Sequence, residues 1–163
     1  MKKIFLLVLF CYSSTFVCAQ QDAQFSQNMF NKLASNPGFA GSNQAVSLIG
    51  LFRSQWTGFE GAPQTTNISG HLPVSALNGG LGLSIISDQI AQFENTSVSL
   101  SYAYRTQVGS GQLGLGLNFG MIQSGLDGSL LNSASGSDPA IPTESISGSA
   151  LDLGFGVYYN TQD

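Results

Sequence analysis

The sequence predicts an all-β chain, an antiparallel transmembrane β-barrel of the bacterial outer membrane with about six strands present and the barrel incomplete. Three observations predict it. Beyond residue 44, six segments alternate apolar and polar residues with a period of two. Each runs about 8–11 residues, near the ~9–11 that a membrane-crossing strand needs and above the ~5–6 of an average strand. The polar face carries Gly, Ser, Asn and Gln instead of Lys and Glu, so charged residues make up only 9% of the chain, against about 25% in an ordinary soluble domain.

The elements follow in chain order. Lys2 and Lys3 precede an apolar run from Ile4 to Phe10 that continues weakly to Val17, and Val17-Cys18-Ala19 has the residue sizes a signal peptidase reads. Residues 1–19 therefore read as a secretory signal peptide cleaved after Ala19. Phe10 and Val17 stand before the two cysteines where a lipoprotein needs a small residue. Cleavage removes Cys11 and Cys18, leaving no thiol chemistry and no disulfide. The remaining bases are Lys32, Arg53 and Arg105; against nine acids the mature net charge is −6. So few bases cannot neutralise a phosphate backbone, which excludes nucleic acid as a partner.

Residues 20–44 read as an irregular N-terminal segment, amide-rich at first, with Phe25, Met29 and Phe30 at near-helical spacing and a turn at Asn36-Pro37-Gly38. Residues 45–163 read as the N-terminal part of the barrel. Strand one (45–55) sets Val46, Leu48 and Phe52 against Ser47, Arg53 and Gln55, with Ile49 and Leu51 spoiling the polar face. Strand two (65–72) sets Ile68 and Leu72 against Asn67, Ser69 and His71; strand three (79–87) sets Leu81, Leu83 and Ile85 against glycines and Ser84. Strand four (96–105) is the cleanest, with Val98, Leu100, Tyr102 and Tyr104 against Ser97, Ser99, Ser101, Ala103 and Arg105. Strands five (112–121) and six (150–160) repeat the pattern, with glycines filling much of the polar face. Glycine there suits a crowded lumen and the bends that closure requires.

The connections read as medium (56–64), short (73–78), intermediate (88–95), short (106–111) and long (122–149). That alternation is expected when one rim faces the periplasm and the other the exterior. Single-chain outer-membrane barrels begin at about eight strands, and open sheet edges are not tolerated in lipid. The expectation is a longer barrel of which these residues are the first part, or completion by oligomerisation.

A family resemblance rests on residues 24–73. Gln24-Phe25-Ser26-Gln27-Asn28-Met29-Phe30-Asn31 is followed by Asn36-Pro37-Gly38-Phe39-Ala40-Gly41-Ser42, then by Arg53-Ser54-Gln55-Trp56-Thr57-Gly58-Phe59-Glu60-Gly61-Ala62-Pro63, then by Ser69-Gly70-His71-Leu72-Pro73. This set resembles the PorP/SprF family of outer-membrane proteins of the type IX secretion system in Bacteroidetes. Gly38-Phe39 departs from the Ala-Tyr expected there. The resemblance implies secretion or surface anchoring of large adhesins, including those of gliding motility. It implies cargo with a type B C-terminal sorting domain, and contact with periplasmic secretion-ring components and a peptidoglycan-binding partner. Outer-membrane lipid is the remaining partner expected.

The candidate interaction residues are Trp56, Phe59, Arg53, Glu60, Phe25 and Phe30. Trp56 and Phe59 suit either an aromatic girdle or a cargo-contact surface. Arg53 suits a lumen ion pair with Glu60 or Asp88. The segment 24–36 suits either a plug or a periplasmic contact.

Catalysis is not expected, and neither is a cofactor. His71 is the one histidine, and no nucleophile-elbow context accompanies it. Gly109-Ser110-Gly111-Gln112-Leu113-Gly114 spells a dinucleotide motif, but a strand follows it instead of a helix. Asp127, Asp138 and Glu144 read as a solvated loop without EF-hand spacing, so no metal site is expected. The other functional classes left open are a passive outer-membrane porin and a soluble periplasmic β-sandwich that binds glycan or protein.

Overall fold

Alternating residues dictate strands, and strands are what form. The computed structural model describes residues 29–128 and 144–161. The expected signal peptide, Phe25 and Asp138 lie outside the described residues. Six strands, β1 (Ser47–Ser54), β2 (Gln64–Val74), β3 (Gly79–Ile90), β4 (Phe93–Val108), β5 (Gly111–Leu126) and β6 (Ile146–Thr161), make one antiparallel meander in sequence order. The register sum is constant along every ladder, so no bulge interrupts the alternation of faces. Among the described residues β1 and β6 do not pair with each other, so the sheet is not closed.

β2 to β6 overrun the ends their alternation suggests, by up to five residues, whereas β1 is shorter than the expected 45–55 at both ends. The overrun shrinks the expected intermediate loop at 88–95 to the two-residue turn Ala91-Gln92, with Ala91 at φ 52°. Polar residues on both faces (Asp88, Gln89, Glu94, Asn95) hide the pairing there from a periodicity argument.

The two faces invert the order seen in a water-soluble sheet. On one face Thr65, Asn67, Ser69, His71, Ser84 and Ser101 are buried, with Asn67 at 0% exposure. On the other, Leu100, Leu117, Phe119, Leu153 and Phe155 are exposed, the last at 67%. A contiguous bare apolar face of this kind calls for an apolar surrounding. Leu113 to Met121 places five apolar residues of this face along β5, Leu113 half-buried and the other four exposed. They cover about 27 Å of strand, or roughly 21 Å of membrane normal at a ~40° tilt, close to the ~25 Å band of an outer-membrane barrel. No helix among the described residues is long and apolar enough to cross a membrane.

The covered face owes its burial to the segment before β1. Residues 29–44, here called the strap, hold a one-turn helix α1 (Lys32–Ser35) and a 3-10 turn (Pro37–Phe39). The small core lies between strap and sheet and comprises Leu33, Phe39, Ala40 and Ala103, with Tyr158 packed against it.

Candidate functional site

Two places on this frame gather side chains of possible consequence: the seat of the strap and the rim beyond β1.

The seat begins as an absence of Cβ atoms. Gly80, Gly116 and Gly156 lie in one row of the covered face, with Ala103 between them. A Cβ at Gly80 would come within 2.5 Å of Ala40 O, and one at Gly116 would overlap the backbone of Pro37 and Gly38. At Gly156 it would overlap the Asn36 side chain. Only glycine lets the strap backbone approach this closely. The strap answers in kind: a Cβ at Gly38 would stand 2.9 Å from both Gly114 O and Tyr158 N. The departure from Ala at position 38 therefore has a packing reason.

Side chains then fix the strap laterally. The Arg105 guanidinium donates through Nη1 to Ala40 O (3.0 Å) and Gly38 O (3.4 Å), and through Nε to Gln112 Oε1 (3.1 Å). His71 Nδ1 accepts from the Gly41 N–H at 3.1 Å, which leaves its proton on Nε2. Asn36 Nδ2 donates to Val157 O at 2.9 Å, while Asn36 Oδ1 accepts from Gly38 N and caps the 3-10 turn. Ser69 donates to Asn31 Oδ1 at 2.9 Å. The Phe39 ring meets His71 and Tyr158 edge to face at 5.2 and 5.1 Å, and Lys32 Nζ lies 5.6 Å from the Phe39 and Tyr158 ring centroids. None of this assembles a nucleophile with a base.

The rim is built by the loop after β1. Gln55 N bonds Pro63 O and Phe59 N bonds Trp56 O, which holds the loop as compact turns. Trp56 takes φ 50°, and Trp56 and Phe59 are 71% and 76% exposed. The neighbouring turns tie in through backbone bonds, Ala91 N to Gly61 O and Asp127 N to Gln92 O, each 2.9 Å. At this end the polarity of the sheet reverses. Ile90, Phe93, Leu126 and Ile146 form one cross-strand row on the face of the covered side, and the adjoining row of the other face is Gln89, Glu94, Gly125 and Ser147. Ile90, Phe93 and Ile146 stay exposed there.

The candidate residues thus divide. Trp56, Phe59 and Glu60 come together in the rim loop, all exposed. Arg53 points to the covered face, opposite Thr65, whose hydroxyl donates to Asp88 Oδ1 at 2.5 Å; Arg53, Thr65 and Asp88 share one row. Glu60 is outside that row. Phe30 is exposed at the head of the strap, 63% accessible, far in sequence from the rim loop. The sequence argument missed Arg105, Asn36 and the glycine floor. Its available signal was the clustering of Gly at alternate positions of β3, β5 and β6 together with a Gly/Ala-rich segment ahead of β1.

The model for the type IX secretion system membrane protein PorP/SprF matches residues 17–163. The chain belongs to the PorP/SprF family. This is a membrane component of the type IX secretion machinery. No curated protein and no solved structure matches the chain.

Proposed function

We propose that this chain is a non-catalytic outer-membrane component of the type IX secretion system of Bacteroidetes that supports secretion or surface anchoring of large adhesins of the gliding-motility type. On this reading the signal peptide exports it, the bare face of β1–β6 meets lipid, and the covered face is the inside of a barrel. The cargo carries a type B C-terminal sorting domain, and the periplasmic end meets secretion-ring and peptidoglycan-binding components. The observation that carries the reading is the inversion of the sheet, with Asn67 at 0% and Phe155 at 67% exposure, in a member of a secretion-membrane family.

The rim supplies the cargo contact: Trp56 and Phe59 project from its loop, and the row Ile90, Phe93, Leu126 and Ile146 adds apolar surface on the inner side. Phe25 and Phe30 serve either the plug or a contact with the periplasmic partners. Arg53 serves the wall, in the row of Thr65 and Asp88. The strap across the covered face supports an assembly component over an open solute channel.

The test is surface display of the adhesin in a strain lacking the gene, complemented by wild type or by Trp56→Ala/Phe59→Ala. Wild type restores display and the double variant, present at equal level in the outer membrane, does not. Full display without the gene, or recovery of the protein in the aqueous fraction, would sink the reading.

A further inference from the structure

We propose that the covered face carries a peptide-binding seat, that the strap is its resident peptide, and that Arg105 is the latch holding it there as a releasable plug. The inference goes beyond the secretion role and rests only on the covered face being the inside of a barrel.

The seat selects a tightly turned peptide with small residues where its backbone meets the sheet. Gly80, Gly116 and Gly156 leave room for backbone where any Cβ would collide with Asn36, Pro37, Gly38 or Ala40. Arg105 and His71 then read two kinds of strap backbone group. The guanidinium takes the carbonyls of Gly38 and Ala40, and the imidazole takes the N–H of Gly41. A peptide with bulk at Gly38 would not lie flat, because its Cβ would press on Gly114 O and Tyr158 N.

Two features make the plug releasable. Among the described residues no backbone-to-backbone bond joins strap and sheet; those of residues 32–44 stay within the strap. Leaving therefore breaks no β-ladder. The ground beneath the strap on β2 and β3 is also under-bonded. Asn31 Nδ2, both polar side-chain atoms of Asn67, His71 Nε2 and Ser84 Oγ are buried without a partner. They gather where the strap meets β2 and β3, since Ser69 bonds Asn31 and pairs with Ser84. Buried unpaired polar groups cost free energy that hydration returns, so release is partly compensated. Arg105 supplies the charge-assisted bonds that tip the balance toward the seated form.

The chain itself suggests the measurement. The Cβ of Ala40 lies 3.5 Å from where a Cβ at Gly82 would stand, within disulfide range once the tip of the Leu33 side chain, 2.8 Å from that point, swings aside. The full-length protein with Ala40→Cys/Gly82→Cys is oxidised in its own membranes, beside the control pair Ala40→Cys/Leu83→Cys, whose second position faces the other side of β3. The first pair should crosslink and the control should not. In planar bilayers wild type should be silent. Arg105→Ala should raise the unseated fraction by about tenfold or more, read as stepwise ion conductance. Arg105→Lys, which keeps the charge, should lie between the two. Arg105→Ala added to the oxidised pair should stay silent, and reductant should open it, which separates latch loss from misfolding within one preparation. No crosslink in the first pair, or wild-type conductance equal to that of Arg105→Ala, would overturn the proposal. A protein that crosslinks yet leaves the membrane fraction would refute the outer-membrane reading and the plug's role together, leaving the seat alone.

Discussion

Gly116 and Leu117 are neighbours in β5 and obey opposite rules. Gly116 has the strap backbone pressed against it, while Leu117, one residue on, is 62% exposed. The same contrast runs through β2 to β5 short of the rim: small and polar residues are buried, large apolar ones are bare. In water this distribution would cost free energy on every strand, because apolar area is favoured out of solvent and polar groups in it. It becomes favourable once lipid meets the bare face and a polar, self-bonded interior meets the other. What organises the interior is hydrogen bonding and backbone contact, as in the relay from Ser101 to Asn118 Oδ1 and from Asn118 Nδ2 to Asp152.

The contrast between faces can be broken most directly by charge. Leu117→Arg should cost about 2–4 kcal/mol, the penalty for a lipid-facing base near mid-bilayer. Ser99→Arg, on the other face, should cost far less; urea unfolding of the membrane-inserted protein compares them. Equal penalties would show that the bare face does not meet lipid.

Gly116→Leu attacks the seat. Its side chain would occupy strap backbone volume, for a cost of about 1–3 kcal/mol, and limited proteolysis should then cut within residues 29–44. Continued protection would mean the strap tolerates bulk beneath it.

The contrast also explains how much was legible in the sequence. Strict alternation in β4 and β5 gave the correct face for Val98, Leu100, Ser99 and Ser101 because side-chain period is geometric and local. The turn at Ala91-Gln92 escaped because Asp88, Gln89, Glu94 and Asn95 put polar residues on both faces, and the apolar pair Ile90 and Phe93 falls on the face that is polar elsewhere. The seat escaped because it is non-local: Arg105 lies 65 residues from Ala40, and Asn36 lies 121 from Val157. Glycines at alternate positions announced crowding without naming what crowds them. His71 read as a wall residue, which it is, yet its bond to Gly41 depends on a segment 30 residues away.

Smaller effects sharpen the picture. Asn36→Ala removes the cap of the 3-10 turn and the bond to Val157, and should cost about 1 kcal/mol in the same unfolding assay. A loss near zero would show that the glycine floor, Arg105 and His71 hold the strap without Asn36. Trp56→Ala should leave stability within about 0.5 kcal/mol, as for an exposed side chain, while lowering adhesin display. A large stability loss with normal display would assign Trp56 to the aromatic girdle instead.

The central claim is that one face of the sheet lies in lipid and the other does not. The direct measurement is a nitroxide scan along β4, one cysteine at a time from Ser97 to Tyr102, in the full-length protein in bilayers. The account predicts a period of two: labels at Val98, Leu100 and Tyr102 collide with oxygen dissolved in lipid, and labels at Ser97, Ser99 and Ser101 do not. Labels at Val98 and Leu100 that instead collide with a water-soluble nickel chelate would contradict it.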